Sequence, residues 1–254
     1  RRAQCRARGP AVAAGSILEP GLSMERLVFD VETVGVPWES LDAGVQESLL
    51  RSSRSDEERQ DVQESLSLFP VTAQIVCVAL YSPEQDHAAV FFQAPQGGIS
   101  PLREEKAVFV PCTEKELLVH FWEAAGRAKQ LISFNGRGFD CPILLVRSAA
   151  NRVRPTIDLM PNRYSSQHVD LMDQFTWFGA YRRRFSLDAW CNALGVEQPK
   201  REVHGSDVAA LYAAGEYMKI ARYCMGDARA TAQLFDLWNT YMRFPGPGQE
   251  QAPR

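Results

Sequence analysis

The sequence predicts one α/β domain, and three observations predict it. Short apolar runs rich in β-branched and aromatic residues recur up to Met172, and apolar residues at helical spacing dominate from Ser186 onward. An apolar fraction of 45% over 254 residues is enough for one substantial core.

The elements follow in order. Arg26–Val31 (RLVFDV) is a buried strand that ends in acids, with the breakers Gly35 and Pro37 beyond it. Trp38 to Glu64 is charged and only weakly amphipathic, as an exposed helical insertion would be. Gln74–Tyr81 and Ala88–Gln93 flank the turn-forming SPEQD and read as an antiparallel hairpin. Glu114–Lys129 carries Leu117, Leu118, Phe121, Trp122 and Ala125 at helical spacing, with Thr113 and Glu116 placed for a capping box. Gln130–Phe134 is a strand broken by Asn135-Gly136, and Phe139–Ala149 is a helix whose first turn accommodates Pro142. His168–Met172 is the last strand, followed by helices at Ser186–Leu194 (closed by Gly195), Asp207–Ala214 and Glu216–Arg243. The Arg-rich, acid-poor residues 1–23 read as a disordered leader, whether a transit peptide, a vector remnant or the product of an upstream start. The Pro-rich residues 245–254 read as a disordered tail.

A formal net charge of −3 gives no global attraction to nucleic acid, so any such binding needs a local basic cluster. The six cysteines (Cys5, Cys77, Cys112, Cys141, Cys191 and Cys224) form no C-x-x-C pair and sit largely in apolar runs, which suits reduced thiols in a cytoplasmic protein. No apolar stretch is long enough for a spanning helix.

Three acidic motifs carry the chemistry. Asp30 and Glu32, two apart on a strand, share one face. A second D-x-E at Asp56–Glu58 lies in the solvated charge run, whereas Asp30 and Glu32 follow LVF, where burial without a compensating partner is costly. Asp140 stands at the head of a helix in NGRGFDCP and reads either as a helix cap or as a third site acid. Tyr223 and Asp227, at i and i+4, share one face of the last helix, which is equally a feature of ordinary half-buried pairs.

Together FDVET, SFNGRGFDCPIL and ARYCMGDARAT, supported by SLFPVTAQIVCVAL, HVDLMDQ, SLDAWCNALGV and GSDVAALY, resemble the DEDD superfamily of 3′-5′ exonucleases. The resemblance is to the tyrosine-bearing (DEDDy, DnaQ-like) subclass, and to predicted exonucleases related to the proofreading domain of B-family DNA polymerases. It implies an RNase H-like fold, a mixed five-stranded sheet with the first strand central and helices around it. It also implies two divalent metal ions, Mg2+ or Mn2+, held by Asp30, Glu32, Asp140 and Asp227, with Tyr223 positioning the attacking water. The histidine-bearing subclass would place His where this chain has Arg222.

Elementary chemistry agrees with that ligand set. Crowded carboxylates repel and require cations, and oxygen donors select hard ions. The implied activity is hydrolysis of single-stranded nucleic acid, DNA over RNA, to nucleoside 5′-monophosphates. An RNA-trimming enzyme of the RNase D or oligoribonuclease type and a non-catalytic binding protein on the same fold are the alternatives. A separate polymerase or repair partner is open. Thr33, Asn135, Phe139 and Leu144 are candidates to cradle the terminal nucleotide by analogy with the family. Arg182 and Arg183, within Tyr181–Phe185, are candidates for phosphate contact, along with Arg137, Arg147, Arg152, Arg154 and Arg163. His168 and Asp170 are expected to satisfy hydrogen bonds at a strand end.

Overall fold

The computed structural model describes residues 23–197 and 203–244, so the expected leader and tail, Ser23 apart, lie outside the described residues. Seven strands form one mixed sheet: β1 (Met24–Gly35), β2 (Ala73–Ser82), β3 (His87–Phe92), β4 (Leu102–Glu104), β5 (Ala107–Pro111), β6 (Ala128–Ser133) and β7 (His168–Asp170). Their order is β4-β5-β3-β2-β1-β6-β7, with β6 and β7 parallel to β1 and β2 antiparallel to it. The α/β class holds, but the sheet is wider than the five strands expected. β4 and β5 were not legible because β4 has no buried residue and β5 is an apolar run of four, AVFV, between Lys106 and Pro111. Such a run is too short for periodicity to classify.

The insertion contains helices α1 (Ala43–Leu50) and α2 (Asp56–Glu64), neither with a buried residue. Helices α3 (Glu114–Ala125) and α4 (Asp140–Asn151) pack on one sheet face. The short α5 (Leu171–Phe175) follows β7, and α6 (Leu187–Leu194), α7 (Val208–Ala213) and the long α8 (Tyr217–Leu237) come next, α7 and α8 on the opposite face. The Thr113/Glu116 capping box is present, and Gly195 ends α6 with φ +69°.

Strand alternation divides β1 between these faces. Leu27, Phe29 and Val31 join the core beneath α3 and α4, while Val28 and Val34 join the clusters beneath α8. Asp30 and Glu32 share the parity of Val28 and therefore face α8. They do not lie at the strand's exit as the sequence suggested, because β1 goes on pairing with β2 as far as Gly35↔Ala73. The β1–β6 pairing stops at Val28↔Ile132, so the acids begin where β6 turns away and opens a cleft beside β1. A bulge follows: Glu32 pairs with Cys77 and Thr33 with Ile75, so Val76 has no opposite number, and Val76 and Cys77 both face α8.

Helix α4 is anchored by Glu114, a buried carboxylate at the head of α3. It accepts from Ile75 N–H (2.9 Å), from Arg147 Nε and Nη2 (2.8 and 2.6 Å) and from Asn151 Nδ2 (3.0 Å). Arg147 is thus a clamp between α3 and α4, not a phosphate ligand. Arg147→Ala would leave Glu114 with its charge uncompensated and should cost about 2–3 kcal/mol, somewhat under the full value for a buried pair because Arg147 is partly exposed. Urea unfolding of the variant measures it, and an unchanged midpoint would refute it.

Candidate active site

Three elements deliver the acids: β1 carries Asp30 and Glu32, the start of α4 carries Asp140, and α8 carries Asp227. A carboxylate oxygen of Asp30, one of Glu32 and the sulfur of Cys224 lie within 4.8 Å of one another. Cys224 also donates to the Asp30 carbonyl at 3.4 Å. Asp140 and Asp227 are buried (4% and 7% exposed), and both act on Glu32 as nearby negative charges. Three carboxylates therefore act on Glu32, Asp30 from two residues away and Asp140 and Asp227 from far along the chain. Tyr223 is half-buried one turn before Asp227, its hydroxyl lying 3.7 Å from where a Cβ on Gly205 would stand.

The turn from β6 into α4 shapes the Asp140 side. Asn135 takes a left-handed conformation (φ +58°), and its N–H and that of Arg137 donate to the two oxygens of Asp170 at 2.8 and 2.9 Å. Asp170 also caps α5 by accepting from Met172 N–H at 2.9 Å. His168 is held by the Ser133 hydroxyl and the Leu159 carbonyl, 2.8 Å to each, so both residues do the strand-end work expected of them. At Gly136 a Cβ would stand 2.3 Å from Ser133 Oγ, so no larger residue fits where the turn crosses β6. The helix-cap reading of Asp140 does not hold. Phe139 occupies the cap position without a side-chain bond, and the Asp140 carboxylate instead meets its own N–H and that of Val31, on β1 between Asp30 and Glu32.

Electrostatics follow from this crowding. Burial pushes the Glu32 carboxyl well above the usual range, and the charges of Asp30, Asp227 and Asp140 add to the rise. Burial likewise raises Asp140 to about 7, against the pull of the two backbone N–H groups. The Cys224 thiol is pushed up by burial and by its hydrogen bond with Cys77. Without a cation Glu32 and Asp140 favour their protonated forms, and the carboxylate donors fit a hard divalent ion. Cys77 and Cys224 were read from sequence only as buried thiols. The signal for Cys224 was its place inside YCMGD, three residues before Asp227 and so near the same helical face.

The substrate candidates separate. Leu144 is 0% exposed within the core, so it supports the turn from beneath and offers no surface to a nucleotide. The Thr33 hydroxyl is committed to the Ser67 carbonyl at 2.7 Å. Asn135 and Phe139 are half-buried at the turn beside Asp140. Arg182 and Arg183 are exposed, and Arg183 lies 5.0 Å from the centre of the Phe185 ring. Their neighbour Arg184 reaches the Asn135 side chain at 3.5 Å. Arg163 pairs with Asp173, Arg137 donates to the Pro161 carbonyl at 2.9 Å, and Arg152 donates to the Ala149 carbonyl at 2.9 Å.

Between Arg184 and α5 the chain is strained. Trp177 and Phe178 both adopt left-handed backbone (φ +47° and +57°) ahead of Gly179 (φ +93°). For bulky side chains this costs on the order of 1–2 kcal/mol each. The loop is held by Gly179 and Tyr181 N–H groups donating to the Thr176 carbonyl, 3.0 Å each.

A mixed sheet with acids from an interior strand, β1, which stands fifth of the seven and not at the centre as expected, from the head of one helix and from the face of another defines the class: the exonuclease fold found in B-family DNA polymerases. The chain belongs to the family of predicted 3′-5′ exonucleases related to the exonuclease domain of PolB, which matches residues 99–246. Among solved structures it is similar to the family B DNA polymerase from the hyperthermophilic archaeon Pyrobaculum calidifontis (TM-score 0.54, 18% identity), over 86% of this chain. It spans 25% of that polymerase's length. No curated protein matches it. No helix among the described residues is long and apolar enough to cross a membrane.

Proposed function

We propose that this chain is a metal-dependent exonuclease that removes nucleotides from the 3′ end of single-stranded nucleic acid, DNA in preference to RNA, as 5′-monophosphates. The observation that carries this reading is the crowding at Glu32, on which the charges of Asp30, Asp140 and Asp227 act where β1 runs on past the end of its pairing with β6. A structural protein has no use for four mutually repelling carboxylates, and their cost is met when cations bind.

Asp30, Glu32, Asp140 and Asp227 would hold two Mg2+ or Mn2+ ions, which supply the charge that lowers the pKa of water and neutralises the phosphodiester as it reacts. The acids fix where those ions sit. Tyr223, on the helical face of Asp227, positions the attacking water through its hydroxyl. Asn135 and Phe139, on the turn that presents Asp140, would seat the terminal nucleotide, and the exposed Arg182 and Arg183 would contact its phosphates.

The test is digestion of end-labelled single-stranded DNA and RNA with manganese, magnesium or chelator, beside Asp227→Asn. The expected result is a ladder shortening from the 3′ end, faster on DNA and lost with chelator or in the variant. Cleavage that survives either condition rejects the proposal.

A further inference from the structure

We infer that the loop of residues 176–185 is a stacking platform for single-stranded nucleic acid, with Trp177 and Tyr181 holding bases a few nucleotides inward from the 3′ end. This deepens the exonuclease reading and rests on it for the direction of the strand.

Three large aromatic side chains come to the surface together here. Trp177 is 58% exposed, Tyr181 45% and nearby Tyr164 71%, although other large aromatics in the chain, such as Trp122 and Phe175, are buried to 1% or less. The conformation is imposed, since Trp177 and Phe178 are held in consecutive left-handed positions by the Thr176 carbonyl. Strained backbone that presents a large ring to solvent is characteristic of a ligand clamp. Tyr164 lies 4.5 Å from Phe178, ring centre to ring centre, so a third exposed ring is packed against the loop.

Position selects the occupant. The loop starts from α5, whose Asp173 pairs with Arg163 and lies 4.0 Å from Arg137 of the Asp140 turn. It returns to that same turn through Arg184 and Asn135. Since β1, β6 and β7 are parallel, the acids, the turn and the loop all gather toward one edge of the sheet. Exposed rings beside the consecutive Arg182, Arg183 and Arg184 match a polymer that carries both π faces and phosphates, and single-strand binding has this composition. A duplex would hide its bases from these rings.

Fluorescence anisotropy in chelator, with labelled oligonucleotides of two and of about eight nucleotides, tests this without turnover. Wild type should prefer the longer strand, and Trp177→Ala or Tyr181→Ala should shrink that preference about tenfold, with Trp177→Phe restoring most of it. An unchanged preference in both alanine variants overturns the platform, as does equal loss in Trp177→Phe. A wild-type protein that shows the preference yet never cuts with metal would reject the nuclease and leave the platform standing.

Discussion

Asp30→Asn is expected to reduce hydrolysis by on the order of 10³-fold or more, about 4 kcal/mol of transition-state stabilisation, while raising the melting temperature of the metal-free protein. The two effects have one cause. Asp30 is the first of the charges that raise Glu32, so neutralising it relieves a repulsion that the fold otherwise bears. The same change removes a donor from the group that includes Glu32 and Cys224. Single-turnover digestion and calorimetry in chelator measure the pair. Wild-type activity in the variant would remove Asp30 from the chemistry, and a lower melting temperature would show the acid to be structural.

Metal should reverse the direction in which pH acts on stability. Asp140 titrates near 7 when folded against 3.8 for an ordinary aspartate, and Glu32 is also raised, so between about pH 4 and 7 the folded state binds more protons than the unfolded. Stability of the metal-free protein therefore falls as pH rises through that window, by on the order of a few kcal/mol. His168 opposes this. Burial lowers it to about 4 from 6.5, so its contribution to stability grows with pH over much of the same range. The carboxylates prevail because Glu32 and Asp140 are raised together and burial raises Asp170 as well. Saturating Mg2+ or Mn2+ holds the four site acids ionised, which removes their slope, leaves His168 opposed only by the smaller rise of the buried Asp170, and makes stability rise with pH. Melting temperatures at a series of pH values, with and without metal, decide the matter: a downward slope in both would mean that no cation enters the cluster.

Much of the site was legible because its spacing is local. Asp30 and Glu32 two apart on a strand, and Tyr223 and Asp227 four apart on a helix, declare shared faces without coordinates. The strand-turn-helix around Asp140 was readable from Asn135-Gly136 and Pro142 for the same reason. What escaped depends on partners distant in sequence. Leu144 looked available for a nucleotide until packing against α3 and the sheet enclosed it, and Arg147 looked available for phosphate until Glu114 claimed it. The continuation of β1 to Gly35 is dictated by pairing with β2, which its own residues do not reveal. Trp177 gave no signal, because a left-handed aromatic violates the local preferences from which a sequence is read.

The bond from Cys224 to the backbone of Asp30 joins residues 194 positions apart, and the last acid lies three residues further on. On the proposed assignment, a ribosome therefore synthesises three of the acids long before the fourth. On that assignment a nascent or truncated polypeptide that stops short of α8 lacks one metal-binding acid and would be inert, so the site would be completed only when the last long helix docks.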